Sequence, residues 1–209
     1  MLFSLRANYV IKEYLRERVF LIALILILFL MGIIFGVLAV KVLEQDQQRD
    51  LVNYIDQGLH GQIYQQNSFY VRQTITANVQ TVFFLFFMGI SVIGVPLALL
   101  LIFTRGFILG FSTSFLLETM GFKGVLLVIT GILPHNLLII PALFLMVIAI
   151  IDCAAALTKI RFTKQQVAIG PELVRCAVLT FVVLLIMILG GLVQGYVTPL
   201  ITSWLAKLL

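Results

Sequence analysis

Apolar residues run through this chain in long blocks, and the polar positions fall between the blocks rather than alternating with them. Residues 19–40 form 22 positions without a charge. At 1.5 Å per residue that run reaches about 33 Å, enough for a hydrocarbon core of about 30 Å. Four further blocks predict spans at 79–103, 107–120, 125–151 and 176–196. A block that is apolar on every side has no face to give to water, and in lipid a lone segment satisfies its backbone only as a helix. The pattern predicts an all-α polytopic integral membrane protein, with about five transmembrane helices in a single membrane domain over 1–209.

The interruptions carry the remaining organisation. Residues 41–78 hold eight glutamines and the acids Glu44, Asp46, Asp50 and Asp56, and are read as an extracytoplasmic loop. Within it Leu51, Ile55, Leu59 and Ile63 recur at helical spacing, which predicts an amphipathic helix over about 48–65. Gly58 and Gly61 weigh against it by about 1 kcal/mol each. Residues 1–18 mix apolar and basic positions and predict an interfacial helix. The run that follows is too long for a signal peptide and lacks an A-x-A-like cleavage site, so it is expected to stay as a membrane helix. Pro96, preceded by Gly89 and Gly94, predicts a kink in the second span. Thr104-Arg105-Gly106 and Gly121-Phe122-Lys123-Gly124 are read as turns, and Pro134-His135-Asn136 and Pro141 as breaks in the fourth span.

Composition excludes the soluble classes. Hydrophobic residues make up 62% and charged residues 11%, against about 25% charged in an ordinary soluble domain. The mean hydropathy is +1.15. The net charge of +5 suggests no nucleic acid, because the basic residues sit at the ends of apolar runs, where they set topology and meet anionic lipid. With five crossings, nine Lys/Arg fall on the side of the N-terminus and five on the other. That predicts a cytoplasmic N-terminus and an extracytoplasmic C-terminus. A re-entrant hairpin at 107–133 would put one of the two basic segments, 1–18 or 152–175, outside. Cys153 and Cys176 form no metal or redox motif and are read as small reduced apolar residues.

No catalytic constellation is visible. There is no H-E-x-x-H, no G-x-S-x-G and no Walker A motif, and the acids of 41–78 read as a solvated helix face. No cofactor and no metal are implied. Polar groups at membrane depth are costly and often functional, which singles out Arg105, Pro134, His135, Asn136 and Asp152. His135 and Asn136 either form a ligand or proton site at a broken helix or bond to backbone freed by the proline. Arg105 is either an interface anchor or a partner of Asp152. Gly32-x-x-x-Gly36, Gly106-x-x-x-Gly110 and Gly191-x-x-x-Gly195 allow close helix approach. That approach serves packing within one chain or a homodimer equally well.

Several segments together resemble one family. Phe29-Leu-Met-Gly-Ile-Ile-Phe-Gly36, Gly89-Ile-Ser-Val-Ile-Gly-Val-Pro-Leu97, Thr104-Arg-Gly-Phe-Ile-Leu-Gly-Phe111, Met120-Gly-Phe-Lys-Gly124 and Ile132-Leu-Pro-His-Asn-Leu-Leu-Ile-Ile-Pro141 are similar to the stage II sporulation protein M family over essentially the whole chain. The resemblance implies a mother-cell membrane protein of endospore formers that acts during engulfment. It implies a scaffold for two peptidoglycan-degrading partners, stage II sporulation proteins D and P, which carry the hydrolytic chemistry. Leu51, Ile55, Leu59 and Ile63 would then offer a docking face. The alternative from the residues alone is a small dimeric permease with a polar site at the broken helix. A scaffold should tolerate His135→Gln, and a permease should not.

Overall fold

A computed structural model describes residues 18–59, 67–89, 94–163 and 169–201, and all its regular elements are helical. In chain order these are α1 (Val19–Lys41), α2 (Gln45–Leu59), α3 (Asn67–Gly89), α4 (Gly94–Met120), α5 (Phe122–Leu127), a π-helical turn (Val128–Ile132), α6 (Leu133–Thr163), α7 (Ile169–Leu192) and a second π-helical turn (Val193–Val197). Four stretches are long and apolar enough to cross a membrane: Val19–Lys41, Gly94–Met120, Phe122–Ala156 and Val174–Ile201. The chain is a polytopic all-α membrane protein. Helix α3 has 23 residues, or about 34 Å, but a polar first half.

The direction of each helix follows from its contacts. On α1 and α4, Phe29 meets Gly106 and Ile33 meets Gly110, so the two run parallel. The positive-φ Gly121 (φ 55°) turns the chain at the end of α4, and Gly124 then lies on the Leu116 carbonyl, so α5 and α6 run back. On α7, Cys176 lies near Ala149 and Gly190 near Ile139, so α7 is antiparallel to α6. Gly195 meets Val71 and Gly191 meets Ile75, so α3 is antiparallel to α7. The five long helices therefore alternate in direction. Arg18, Gly89, Gly94 and Asp152 gather at one end of the bundle, and Lys41 and Met120 lie at the other.

Burial separates core from lipid face. Ile25, Leu85, Ile102, Leu143, Met146, Val183 and Met187 are closed off from every side. The core centres on α6, whose apolar window is 56% buried against 22% for that of α1. Around it, Phe20, Ile34, Phe87, Leu100, Phe181 and Leu189 face outward. A belt of such size costs too much in water and is at home against acyl chains.

The second and third predicted spans need redrawing. In place of 79–103 and 107–120 stand α3 and α4, and the connection between them falls at 90–93, outside the described residues. Thr104-Arg105-Gly106 is not a turn but the middle of α4. The Thr104 hydroxyl donates to the Leu100 carbonyl at 2.9 Å, which satisfies it inside its own helix. Pro96 does not kink a span. It is the third residue of α4, in the first turn, where a missing N–H leaves no bond unmade. Residues 67–78 leave the loop, because their polar side chains face α7 rather than water. The amphipathic helix is Gln45–Leu59 rather than 48–65. The fourth span extends to Phe122–Thr163 with its π turn, and the fifth begins at Ile169 rather than 176. The predicted helix at 1–18 and residue Ile63 lie outside the described residues, apart from Arg18.

The two π turns share a register. In each, a Val opens the turn and a Pro stands six residues later: Val128 with Pro134, and Val193 with Pro199. The Leu133 N–H reaches back five residues to the Val128 carbonyl, and the Thr198 N–H likewise to Val193. A proline cannot donate to the carbonyl four residues back, and its ring crowds that carbonyl. Widening the preceding turn by one residue relieves the conflict without ending the helix.

Candidate functional site

The glycine motifs come together in pairs. Gly32 lies on the Phe103 carbonyl and Gly36 on that of Phe107, while Gly106 lies on the Phe29 carbonyl and Gly110 on that of Ile33. The motif of α1 and the motif of α4 thus interlock, each glycine leaving room for the other helix's backbone. Gly191 is filled by Ile75 and Asn78, and Gly195 by Val71. All six glycines are occupied within one chain, so their space gives no support to a homodimer.

The intramembrane polar residues separate into three places. Asp152 pairs with Arg18, Oδ2 to Nε at 2.6 Å, at the Arg18 end of the bundle. Arg105 does not meet Asp152. It stands eleven residues into α4, about 16 Å from that end, and its Nη2 donates to the Thr81 hydroxyl of α3 at 3.5 Å. His135 and Asn136 open α6 just after the first π turn. Asn136 Nδ2 donates to the Ile132 carbonyl at 2.8 Å and lies 3.2 Å from His135 Nε2. Asn136 therefore bonds back to its own helix beside Pro134, as the packing alternative requires. His135 lies near enough to Arg105 for the two to interact electrostatically.

A further polar seam joins α3 to α7. Thr74 Oγ1 donates to the Val71 carbonyl at 2.9 Å and approaches the Gly191 carbonyl at 3.4 Å. Asn78 Nδ2 donates to the Met187 carbonyl at 3.3 Å, and Tyr70 bonds the Gln194 side chain. These residues do not stand out in the sequence because they sit in glutamine-rich surroundings. The signal was their spacing: Thr74, Asn78 and Thr81 fall at i, i+4 and i+7, one face of a helix.

At the opposite end, α2 lies beside the outer turn of α4. A groove of about 530 Å³ runs between them, lined by Gln45, Gln48, Arg49, Val52, Asn53, Glu118 and Thr119. Leu51 and Ile55 are partly buried, and Tyr54 is 65% exposed. The side chain of Leu59 and the whole of Ile63 fall outside the described residues.

Cys153 and Cys176 are free thiols lining a small apolar gap with Ala149 and Ile150. Among the described residues no group of three His, Cys, Asp or Glu is placed to hold a metal. The family model of stage II sporulation protein M matches residues 25–199. Neither the curated proteins nor the solved structures yield a match.

Proposed function

The chain belongs to the stage II sporulation protein M family, and from that premise we propose that it is a non-catalytic membrane scaffold. In this reading it organises wall hydrolases, the stage II sporulation proteins D and P, in the septal membrane of the mother cell during engulfment. The N-terminus is cytoplasmic and the C-terminus extracytoplasmic, so α2 and its groove face the wall side. The observation that carries the reading is the family match over 25–199. It is supported by the arrangement of α2, a strongly amphipathic helix that stands off the core and offers Tyr54 and the rim of the groove to a partner. The six glycines are spent on internal packing, so dimerisation forms no part of the proposal.

The test is co-purification of the tagged full-length protein from detergent-solubilised sporulating cells. Wild type should recover both hydrolases. A variant with Leu51→Glu and Ile55→Glu, matched for abundance and helicity, should lose them. Failure of a well-folded wild type to recover either would overturn the scaffold. A permease would instead need Arg105, His135 and Asn136 for flux, and would lose function with His135→Gln.

A further inference from the structure

The scaffold reading leaves Arg105 unused. A guanidinium stays charged, and at membrane depth it must be answered by an opposite charge or by water. Among the described residues no carboxylate answers it. Asp152 is held by Arg18, and Glu118 bonds Ser114 some 13 residues further along α4. The Thr81 hydroxyl, which accepts from Arg105, spends its own proton on the Ala77 carbonyl at 2.8 Å. Thr81 therefore steers the guanidinium but does not neutralise it.

The protonation of His135 follows from its neighbour. Asn136 Nδ2 donates to the Ile132 carbonyl, which fixes that atom as the amide nitrogen. The same nitrogen faces His135 Nε2 at 3.2 Å. An amide nitrogen offers no lone pair, so Nε2 is the acceptor and the ring proton sits on Nδ1. That Nδ1 is buried and has no partner in hydrogen-bond geometry, although the Gly131 carbonyl one turn earlier is within reach. The region between α3, α4 and α6 thus holds one permanent cation and one under-used N–H donor, with no negative charge.

We propose that Arg105 and His135 form an intramembrane binding position for a single oxyanion, a phosphate or carboxylate group, with Thr81 as the positioning residue. The planar fork of the guanidinium gives two parallel N–H bonds to two oxygens of one ligand, which favours an oxyanion over a halide. The group arrives either on a phospholipid that slips its head between the helices or as a free anion. The proposal is independent of the scaffold reading.

The experiment uses the full-length protein purified in detergent. One arm titrates inorganic phosphate and follows thermal unfolding. The other adds phosphatidylglycerol and counts the phospholipids retained by native mass spectrometry. A saturable rise in melting temperature with phosphate identifies a free anion, and one tightly retained phospholipid identifies the lipid source. Arg105→Gln should abolish whichever response is seen, and Arg105→Lys, which keeps the charge but not the fork, should weaken it. His135→Phe removes only the N–H and should weaken affinity about tenfold, which keeps the test decisive if Arg105→Gln does not fold. Absence of both responses in the wild type overturns the proposal, and so does a response that Arg105→Gln or His135→Phe leaves unchanged.

Discussion

The carbonyl of Phe29 rests against Gly106, so that α1 and α4 touch backbone to backbone where other helix pairs are kept apart by side chains. The contact repeats one turn on, between Ile33 and Gly110. Lipid tails are as apolar as leucine, so helices in a membrane gain little by burying apolar side chains against each other. Close packing and polar contacts carry the association instead.

Substituting Gly106 or Gly36 by valine is therefore expected to push α1 from α4, at a cost of about 1–3 kcal/mol or more, since the obstructing atoms are backbone. Gly89→Ala should cost far less, because the nearest atoms to its new methyl belong to the Ile150 side chain, at 3.1 Å. Thermal unfolding in one detergent ranks the three. Equal melting temperatures would show that the α1–α4 contact does not carry stability.

The Arg18–Asp152 pair ties the start of α1 to the far part of α6. The two side chains are 16% and 21% exposed, so the bond is neither fully screened nor fully dry. A double-mutant cycle with Arg18→Gln and Asp152→Asn should return a coupling of about 1–2 kcal/mol. The coupling should shrink in high salt. Strict additivity would mean that the contact is incidental.

Asn78 is 3% exposed and spends its amide on the Met187 carbonyl. Asn78→Leu should destabilise by about 0.6 kcal/mol, and by no more than about 1.7, the range of interhelical bonds in membranes. Hydrogen exchange at 187–195 should rise with it, while exchange in α1 should not change. Faster exchange throughout would point to a global loss of fold rather than loosening of the α3–α7 seam.

The shared register of the two π turns gives a further expectation. Deleting one residue from Val128–Ile132 should return that turn to α-helical spacing. It would also rotate Pro134 and all of α6 beyond it by about 100° against the bundle. The deletion variant should therefore be much less stable than Pro134→Ala, which removes the ring and leaves the register intact. A deletion that melts with the wild type would mean that the widened turn does not set the register of α6.

The polytopic helical class was legible in the sequence, because blocks of continuous apolar residues leave a chain no other way to satisfy its backbone in lipid. Family membership was legible too, in short motifs such as Leu133-Pro-His-Asn136 and Phe103-Thr-Arg-Gly106. The boundaries of α3 and α4 were not. Hydropathy scores a residue by its type, whereas a membrane bundle lets polar residues such as Thr74 and Asn78 turn inward to a neighbour's carbonyl. In the same way Thr104 and Gly106 read as punctuation until Leu100 and Phe29 supplied their partners. Spacing alone showed that three glycine motifs could pack closely, but not against what. Only the tertiary structure decided that α1 and α4 run parallel and spend two of the motifs on each other, because a partner helix is chosen by three-dimensional fit, which no single segment contains. The same holds for Asp152, which has two basic candidates in the sequence. Arg18 takes it because the alternating helices bring both to one end, while Arg105 is left in the middle of the bundle with no carboxylate in reach.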